Sequence, residues 1–403
     1  MSALTIILDG NQRSALAAVR ALGRLGYPIA VAETSQPCLA SSSKYCRARL
    51  IYPDPSTLAD AFVGWLVEVG RRHPGAVLMP MTDLTVPLVL HSKHALPNLR
   101  TALPSLSAYE AVSDKYSLFE LAGRAGIPVP RTLCVSRGNL ESSLAQDLRL
   151  PIVIKPRRTV TRKAEKALTR TVRYAHSRQE LRAQLDKILI DDSDELLLQE
   201  YVPGSGAGLF AMYRHGVPVF FFEHKRVREK PPSGGVSVLC ESVALRDDHV
   251  QAARRILDPL HWHGVAMLEF RVDDSGASWL IEINARFWGS LQLAIDCDAN
   301  FPALLYDTAL GSTTTPPQGY HVGRQLRWLL GDIDNLYITL KRREFAQTAR
   351  DRLAAIGRFC IPWRPGLRYE LLRPSDPCPA VFAVRAYLSR AFGSGGDDAE
   401  GSA

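Results

Sequence analysis

The sequence predicts a mixed protein, with an α/β part at the N-terminus and an α+β part after it. The N-terminal part opens with three segments that read as strand, amphipathic helix and strand, namely Thr5–Leu8, Ser14–Leu25 and Ile29–Ala32. Further along, Val265–Val272 and Ser278–Asn284 alternate around a turn near Ser275–Gly276 and predict an antiparallel hairpin. A chain of 403 residues is long enough for two or three domains, so both units fit within it.

The N-terminal strand–helix–strand unit lacks the glycine pattern of a dinucleotide site. DGNQRS, at residues 9–14, stands where G-x-G-x-x-G would be needed, so we interpret the unit as a Rossmann-like module used for packing or for a substrate. Ala76–Met79 predicts a further strand, and Asp83 follows at its carboxyl end, where open α/β sheets present ligand groups. Arg13 and Asp83 are therefore candidate substrate contacts, with solvated loop residues as the alternative.

The positive charge of the chain is concentrated near its C-terminus. The formal net charge is +8, and residues 316–393 carry 13 Lys and Arg against 6 Asp and Glu. This distribution argues against nucleic-acid binding by the protein as a whole. Any binding to an acidic partner would be confined to the C-terminal region. We expect the helices of residues 320–393 to pack on the main body, and contact with an acidic surface stays open as the alternative.

Cysteine usage and hydropathy place the protein inside the cell. The seven cysteines are scattered without a C-x-x-C spacing, which indicates neither a zinc site nor a disulfide framework. No apolar run reaches 18 residues, and the short apolar start is followed at once by Asp9 and Asn11. We therefore expect a cytoplasmic protein with reduced thiols.

The predicted hairpin sets two acidic side chains against each other. Folding about its turn places Glu269 opposite Glu282, and strict alternation sorts the other side chains onto two faces. The face of Glu269 would carry Met267, Arg271, Leu280, Glu282, Asn284 and Arg286. The opposite face would carry Leu268, Phe270, Val272, Trp279, Ile281 and Ile283. Facing carboxylates destabilise a sheet unless a cation lies between them, and Mg²⁺ prefers such oxygen ligands together with phosphate.

The second strand of the hairpin resembles a known metal-binding strand. IEINARFWGS, at residues 281–290, is similar to the metal strand of ATP-grasp enzymes, nearest to the carbamoyl-phosphate-synthase-like branch. The resemblance implies that Glu269, Glu282 and Asn284 hold Mg²⁺ (or Mn²⁺) on the phosphates of ATP. It also implies that Arg286 contacts the acyl-phosphate region and acts in catalysis.

Three earlier segments follow the same family order. DKYSLFELAGRAGIPVPRT (114–132), IVIKP (152–156) and QEYVPG (199–204) resemble the family's domain join, its phosphate strand and its hinge. The resemblance implies that Lys115 and Lys155 bind the nucleotide phosphates. It further implies that the hinge contacts adenine through Glu200, Tyr201 and Val202.

The sequence departs from the family pattern at two places. The basic segment 157–173 contains no glycine, where the family has a glycine-rich flap, and Ala207 stands in the position of the usual acidic ribose ligand.

The segment from residue 224 to residue 235 predicts a mobile, positively charged loop. It combines several cations with Pro231-Pro232 and Gly234-Gly235, a composition that favours binding of a carboxylate, an acyl phosphate or the γ-phosphate. Arg226 is the candidate catalytic cation there, and Gly234 and Gly235 are candidate substrate contacts. The alternative is an ordinary charged surface.

These observations define a domain plan and a function. We predict an ATP-grasp fold with a Rossmann-like pre-ATP-grasp domain (1–112), an ATP-grasp domain of two subdomains (113–312, hinge near 199–204), a basic helical C-terminal extension (313–393) and a disordered tail (394–403). The resemblance implies a ligase that activates a small-molecule carboxylate as an acyl phosphate and joins it to an amine or thiol. Kinase-like or carboxylase-like chemistry and non-catalytic nucleotide sensing stay open as alternatives, as does a homodimer.

Overall fold

The computed structural model describes nearly the whole chain with a few gaps. The described residues are 2–144, 146–158, 160–163, 166–169, 172–189, 195–312, 315–342, 348–361 and 364–393. For residues 161–163, 166–169 and 391–393 the backbone alone is described. The predicted tail 394–403 and part of the basic segment 157–173 therefore lie outside the described residues.

The N-terminal domain is built on a parallel sheet with strand order β3-β2-β1-β4. Its strands are β1 (Thr5–Ile7), β2 (Ile29–Glu33), β3 (Ala48–Ile51) and β4 (Val77–Met79), and its helices are α1 (Arg13–Arg24), α2 (Ala59–Arg72), α3 (Thr85–His91) and α4 (Leu106–Ser113). Strands β1, β2 and β4 are buried along their whole length, as continuous apolar strands of a parallel sheet must be. The predicted βαβ opening is confirmed.

A small antiparallel sheet forms the next unit, with strand order β5-β10-β6-β9. Its strands are β5 (Thr132–Val135), β6 (Ile152–Pro156), β9 (Arg173–Ala175) and β10 (Leu196–Glu200), and β7 (Val160–Lys163) and β8 (Lys166–Thr169) form a separate hairpin. Helix α5 (Lys115–Arg124) precedes this unit, and α6 (Leu140–Leu144) and α7 (Arg178–Ile188) belong to it. Its apolar side chains form a core of their own, separate from the two larger cores of the molecule.

The largest unit is a seven-stranded sheet with the order β15-β14-β11-β12-β13-β16-β17. Its strands are β11 (Ser205–Arg214), β12 (Val217–Lys230), β13 (Val236–Ser242), β14 (Gly264–Val272), β15 (Ser278–Asn284), β16 (Gln325–Arg327) and β17 (Leu367–Tyr369). The remaining helices are α8 (Asp247–Leu257), α9 (Leu291–Asp296), α10 (Phe301–Ala309), α11 (Leu329–Lys341), α12 (Ala349–Phe359) and α13 (Cys378–Gly393). The two larger cores each join this sheet to the N-terminal domain.

The predicted hairpin forms between β14 and β15, but it contains a bulge that the sequence did not reveal. Glu269 pairs with Glu282, whereas Phe270 pairs with Leu280, so Ile281 is an extra residue in β15. Because one extra residue reverses the alternation beyond it, the faces predicted for Leu280 and Trp279 were wrong. Leu280 packs in the apolar core with Phe270. The opposition of the two glutamates, which lies before the bulge, holds.

The predicted loop 224–235 is mostly strand. Strand β12 continues to Lys230, and only residues 231–235 connect it to β13. Arg226 pairs with Cys240 and Arg228 with Leu239, which leaves Val227 as a bulge. A bulge of this kind changes the direction of the side chains beside it. The prediction of a mobile loop was therefore wrong for residues 224–230.

The C-terminal segment is integrated into the body of the protein rather than appended to it. Strands β16 and β17 extend the edge of the seven-stranded sheet. Beyond β17, Asp376 binds the N-terminal domain: its Oδ2 lies 2.8 Å from Nε of Arg20 on α1 and also accepts the Ser43 hydroxyl. Arg20 and Asp376 are both about 1% exposed in their side chains. Among the helices of the described residues, none is long and apolar enough to cross a membrane.

Replacing Arg20 with Met should destabilise the fold. The substitution keeps the volume but leaves the Asp376 carboxylate buried without its cation, so we expect the free energy of unfolding to fall by about 3–5 kcal/mol. Urea denaturation measures this difference. The matched control is Arg72→Met, which removes an exposed partner of Glu68 and should leave stability nearly unchanged. Equal effects of the two substitutions would contradict the role assigned to Arg20.

Candidate active site

Two facing carboxylates form the centre of the candidate site, and each already has a cation beside it. Nη2 of Arg226 lies 2.7 Å from Oε2 of Glu269, and Nζ of Lys115 lies 3.4 Å from Oε2 of Glu282. The Asn284 amide donates a hydrogen bond of 3.0 Å to Oε1 of Glu282. The repulsion expected between paired glutamates is therefore offset by the side chains of the protein itself.

The two lysines converge because helix α5 and strand β6 are tied together. Asp114 caps α5, and its carboxylate also binds Nε of Arg157 at 2.7 and 2.8 Å. The backbone N–H of Lys115 donates to the carbonyl of Arg157 at 3.0 Å. The start of α5, with Lys115, is thereby held against the end of β6, with Lys155. Lys115 and Lys155 are both buried.

Lys155 is a cation in an unfavourable environment. The residue is 4% exposed, and its Nζ lies 5.1 Å from the centroid of the Phe119 ring. Burial, and then repulsion from Lys115, lower the pKa of Lys155 to about 7, although Glu282 and Glu269 act in the opposite direction. An anion entering the site would restore the charged form of Lys155, since opposite charges stabilise each other at close range.

The two glutamates differ in their electrostatics. Burial raises the pKa of Glu269, and the charge of Glu282 adds to this, while Arg226 opposes it. Burial also acts to raise the pKa of Glu282, but Lys115, the Asn284 amide and Lys155 together lower it. Glu282 is therefore the more firmly ionised of the two. Glu269 would gain most from an additional cation.

The donor set suits a hard divalent cation that is shared with a phosphate. Glu269, Glu282 and Asn284 offer carboxylate and amide oxygens, and Mg²⁺ commonly takes only one or two carboxylates together with phosphates and water. Among the described residues, no group of three or more His, Cys, Asp or Glu side chains surrounds one metal position. The residues present therefore fit a metal completed by a phosphorylated ligand, rather than a site closed by protein alone.

A cleft of about 600 Å³ lies beside Glu282, one member of the acidic pair. Lys115, Glu282 and Asn284 line it together with Asp83 and residues of α3 and α4 from the N-terminal domain. Nε of Arg286 lies 2.9 Å from Oδ2 of Asp83, at the carboxyl end of β4. The predicted residues Asp83 and Arg286 are therefore brought together at this cleft, 203 positions apart in the chain.

The predicted hinge adjoins the small sheet, but Glu200 is already occupied. Its carboxylate accepts hydrogen bonds from the backbone N–H, Nε and Nη2 of Arg149 at 3.1, 3.0 and 2.8 Å. Sequence reasoning did not find Arg149, because its partner lies 51 positions away. Adenine contacts by Glu200, Tyr201 and Val202 stay a prediction, and at Glu200 the backbone N–H also has a partner, the Arg131 carbonyl at 3.0 Å.

Two charged residues that the sequence did not single out lie beside Arg226. Glu229 accepts from Nη1 of Arg226 at 3.0 Å, and its other oxygen lies 3.2 Å from Nη1 of Arg271. Gly206 on β11 makes room for this arrangement. A Cβ there would lie 2.8 Å from Cδ of Arg226 and 2.9 Å from a carboxylate oxygen of Glu229.

Three predicted substrate contacts have structural partners of their own. Arg13 binds Glu370 at 2.5 Å and lies over the Trp328 ring, with 4.0 Å between its guanidinium carbon and the ring centroid. The Gly235 carbonyl accepts from Arg226 at 2.9 Å, and the Gly234 N–H donates to the Pro231 carbonyl at 3.1 Å, with a φ of 131° that favours glycine. Substrate contact by Arg13, Gly234 and Gly235 stays a prediction.

Comparisons with known proteins identify the architecture. The model of a family described as ATP-grasp in the biosynthetic pathway with Ter operon matches residues 192–329. The N5-carboxyaminoimidazole synthetase of Staphylococcus aureus complexed with ADP has a similar structure, with a TM-score of 0.61, 15% identity and 80% of each chain covered. The L-amino acid ligase of Bacillus licheniformis has a TM-score of 0.58 and 17% identity, over 77% of this chain and 74% of that one.

A third similar structure is a carboxylase domain. The biotin carboxylase domain dimer of the Hydrogenobacter thermophilus 2-oxoglutarate carboxylase, in complex with MgADP, ADP and bicarbonate, has a TM-score of 0.62 and 14% identity. The similarity covers 80% of this chain and 73% of that one. No curated protein sequence matches the chain. These similarities show that the predicted fold is correct.

The low pKa of Lys155 should appear in the pH dependence of stability. Between the folded value of about 7 and the unfolded value of 10.5, the unfolded state binds a proton that the folded state does not. The free energy of unfolding should therefore fall by about 1.4 kcal/mol per pH unit as pH decreases from about 9.5 to about 7.5, relative to Lys155→Met. Urea denaturation across this range measures the difference. Lys341→Met, at an exposed position, should keep the wild-type slope, and a wild-type slope in Lys155→Met would contradict the assignment.

Proposed function

We propose that this protein, which has the ATP-grasp fold, is an ATP-dependent ligase that activates a carboxylate as an acyl phosphate and joins it to an amine or thiol. The observation that carries the proposal is the meeting of Glu269 and Glu282 with Lys115 and Lys155, next to a cleft that Lys115 and Glu282 line. This arrangement suits a magnesium nucleotide, because the two carboxylates and the Asn284 amide offer oxygen ligands and Lys155 lacks a close counter-charge within the described part of the chain.

The phosphate end of the proposed site consists of the two lysines and the metal ligands. Lys155 would regain its full charge against a phosphate, because the pKa of its ammonium group is lowered chiefly by burial. Lys115 would hold Glu282 and a phosphate oxygen together. Mg²⁺ bound by Glu269, Glu282 and Asn284 would supply charge neutralisation to the transferring phosphoryl group.

The substrate end of the proposed site consists of Arg286 and Arg226. Arg286 is held by Asp83 at 2.9 Å, which fixes the direction of its guanidinium group before any ligand arrives. A fixed guanidinium group aimed at developing negative charge stabilises a transition state without the cost of reorganisation. In this proposal Arg286 holds the acyl-phosphate oxygens, and Arg226 supplies a second positive charge beside Glu269.

The nucleoside end of the proposed site lies at the segment Tyr201–Gly204. We assign the adenine ring to the backbone of Tyr201 and Val202, as the resemblance implies. The ribose ligand is unassigned, because the buried Ala207 stands in the usual acidic position. In this proposal the hinge binds the base, the lysines and metal ligands bind the phosphates, and Arg286 binds the activated acid.

Replacing Glu282 with Gln should abolish substrate-dependent release of ADP. The substitution keeps the shape of the side chain but removes the charge that faces Lys115, so we expect a loss of at least about 100-fold in kcat. A coupled ADP assay measures this, with circular dichroism to verify the fold. Glu120→Gln, on the exposed side of α5, is the matched control and should retain activity. Unchanged turnover in Glu282→Gln would refute the proposed site.

A substrate screen distinguishes the proposal from its rivals. Pools of small acids are offered with and without amines and thiols, ADP is measured, and mass spectrometry identifies the joined product. A ligase requires both the acid and the acceptor for product formation. ADP release that needs no amine or thiol would support kinase-like or carboxylase-like chemistry, and nucleotide binding without any ADP would support a sensing role.

A further inference from the structure

Four charged side chains form a continuous chain from the acidic pair to the hinge. Glu269 binds Arg226 at 2.7 Å, Arg226 binds Glu229 at 3.0 Å, and Glu229 binds Arg271 at 3.2 Å. The four charges sum to zero, and each side chain is between 11% and 20% exposed. Charges that are mostly withdrawn from water are weakly screened, so a change at one end of the chain is felt at the other.

The far end of this chain is the backbone of the proposed nucleoside site. Nε of Arg271 donates to the Val202 carbonyl at 3.3 Å, and its Nη2 donates to the Gly204 carbonyl at 2.5 Å. The Arg271 guanidinium carbon also lies 5.8 Å from the centroid of the Tyr201 ring, within cation–π range. One guanidinium group thus contacts three residues of the Tyr201–Gly204 segment and the carboxylate of Glu229.

Features of the backbone support this arrangement. The bulge at Val227 lets Arg226 and Glu229, three positions apart on one strand, reach each other. Gly206 on the neighbouring strand leaves space for both side chains, which a Cβ would enter at less than 3.0 Å. The charge chain is therefore accommodated by the sheet and is not a chance contact between flexible surface groups.

We propose that Arg271 is a positioning residue that couples nucleoside binding at Tyr201–Gly204 to divalent-cation binding at Glu269 and Glu282, through Glu229 and Arg226. The inference rests on the proposed function, because it assumes a nucleoside at the first place and a metal at the second. It adds a thermodynamic link between them that does not pass through the phosphates of the nucleotide.

The sign of the coupling follows from how the carboxylates are shared. A divalent cation at Glu269 competes with Arg226 for that carboxylate, so the ion pair between Arg226 and Glu229 becomes stronger. Glu229 then neutralises less of the charge on Arg271, and Arg271 donates more strongly to the carbonyls of Val202 and Gly204. Bound metal should therefore order the hinge and tighten nucleoside binding, and by reciprocity the nucleoside should tighten metal binding.

The test uses adenosine and Mn²⁺ as probes, because adenosine has no phosphate that could touch the metal. The affinity of the full-length protein for adenosine is measured by titration with and without saturating Mn²⁺, and the affinity for Mn²⁺ by water-proton relaxation with and without adenosine. In the wild-type protein we expect each probe to tighten the other by about 5-fold or more. In Arg271→Met and in Glu229→Gln the factor should fall to about 1, while Mn²⁺ alone still binds.

Control variants separate coupling from general damage. Arg246→Met is the matched control, since Arg246 also binds a carboxylate and a carbonyl, those of Asp248 and Gly276, but lies outside the charge chain. It should keep the wild-type coupling factor. Arg271→Lys should not restore the coupling, because a single ammonium cannot reproduce the fork of a guanidinium group. If Arg271→Met is unstable, Glu229→Gln alone decides the matter.

The outcomes distinguish this inference from the proposed function. If the wild-type protein binds both probes independently, or if Mn²⁺ weakens adenosine binding, the coupling is refuted and the ligase proposal stands. Coupling that persists in both Arg271→Met and Glu229→Gln also refutes it. If the wild-type protein binds neither adenosine nor Mn²⁺-ATP, the proposed function fails and the inference fails with it.

Discussion

The neutralisation of two facing carboxylates determines how the site is built. Glu269 and Glu282 are paired on neighbouring strands of one sheet, where like charges destabilise the pairing. The fold brings Lys115 from a helix and Arg226 from another strand to balance them. Because these cations come from different elements, the acidic pair depends on tertiary structure. A bound metal would have to compete with them or share their carboxylates, so the protein can be stable without a metal and still be prepared to take one.

The sequence predicted those parts of the fold that depend on local pattern. Alternation and turn residues gave the hairpin and the opposition of Glu269 and Glu282. The bulge at Ile281 was not predicted, because an apolar run does not show which of its residues will be left unpaired. The faces of Trp279 and Leu280 were therefore predicted the wrong way round. The continuation of strand β12 through Arg226 was also not predicted. A run of charges looks like a loop unless its partners across the sheet are known.

In the candidate site, too, the residues that belong to a local motif were predicted and those that depend on distant partners were not. Each motif carries its own lysine, acid or amide, so Lys115, Lys155 and the Glu269 to Arg286 stretch were recognisable one at a time. Arg149, Glu229 and Arg271 were not, because their importance arises from partners far away in the chain. The C-terminal segment illustrates the limit most clearly. The sequence predicted that its helices pack on the main body, but it did not reveal that its strands β16 and β17 continue the seven-stranded sheet or that Asp376 binds Arg20 of the N-terminal domain.

The bare backbone at Gly206 has an evolutionary consequence. Cδ of Arg226 and a carboxylate oxygen of Glu229 occupy the space where a methyl group would begin. An alanine at position 206 would force the Arg226 and Glu229 side chains to shift, so it would disfavour the present position of Arg226. The two positions should therefore covary among relatives of this protein, and a sequence with alanine at the first should seldom retain arginine at the second.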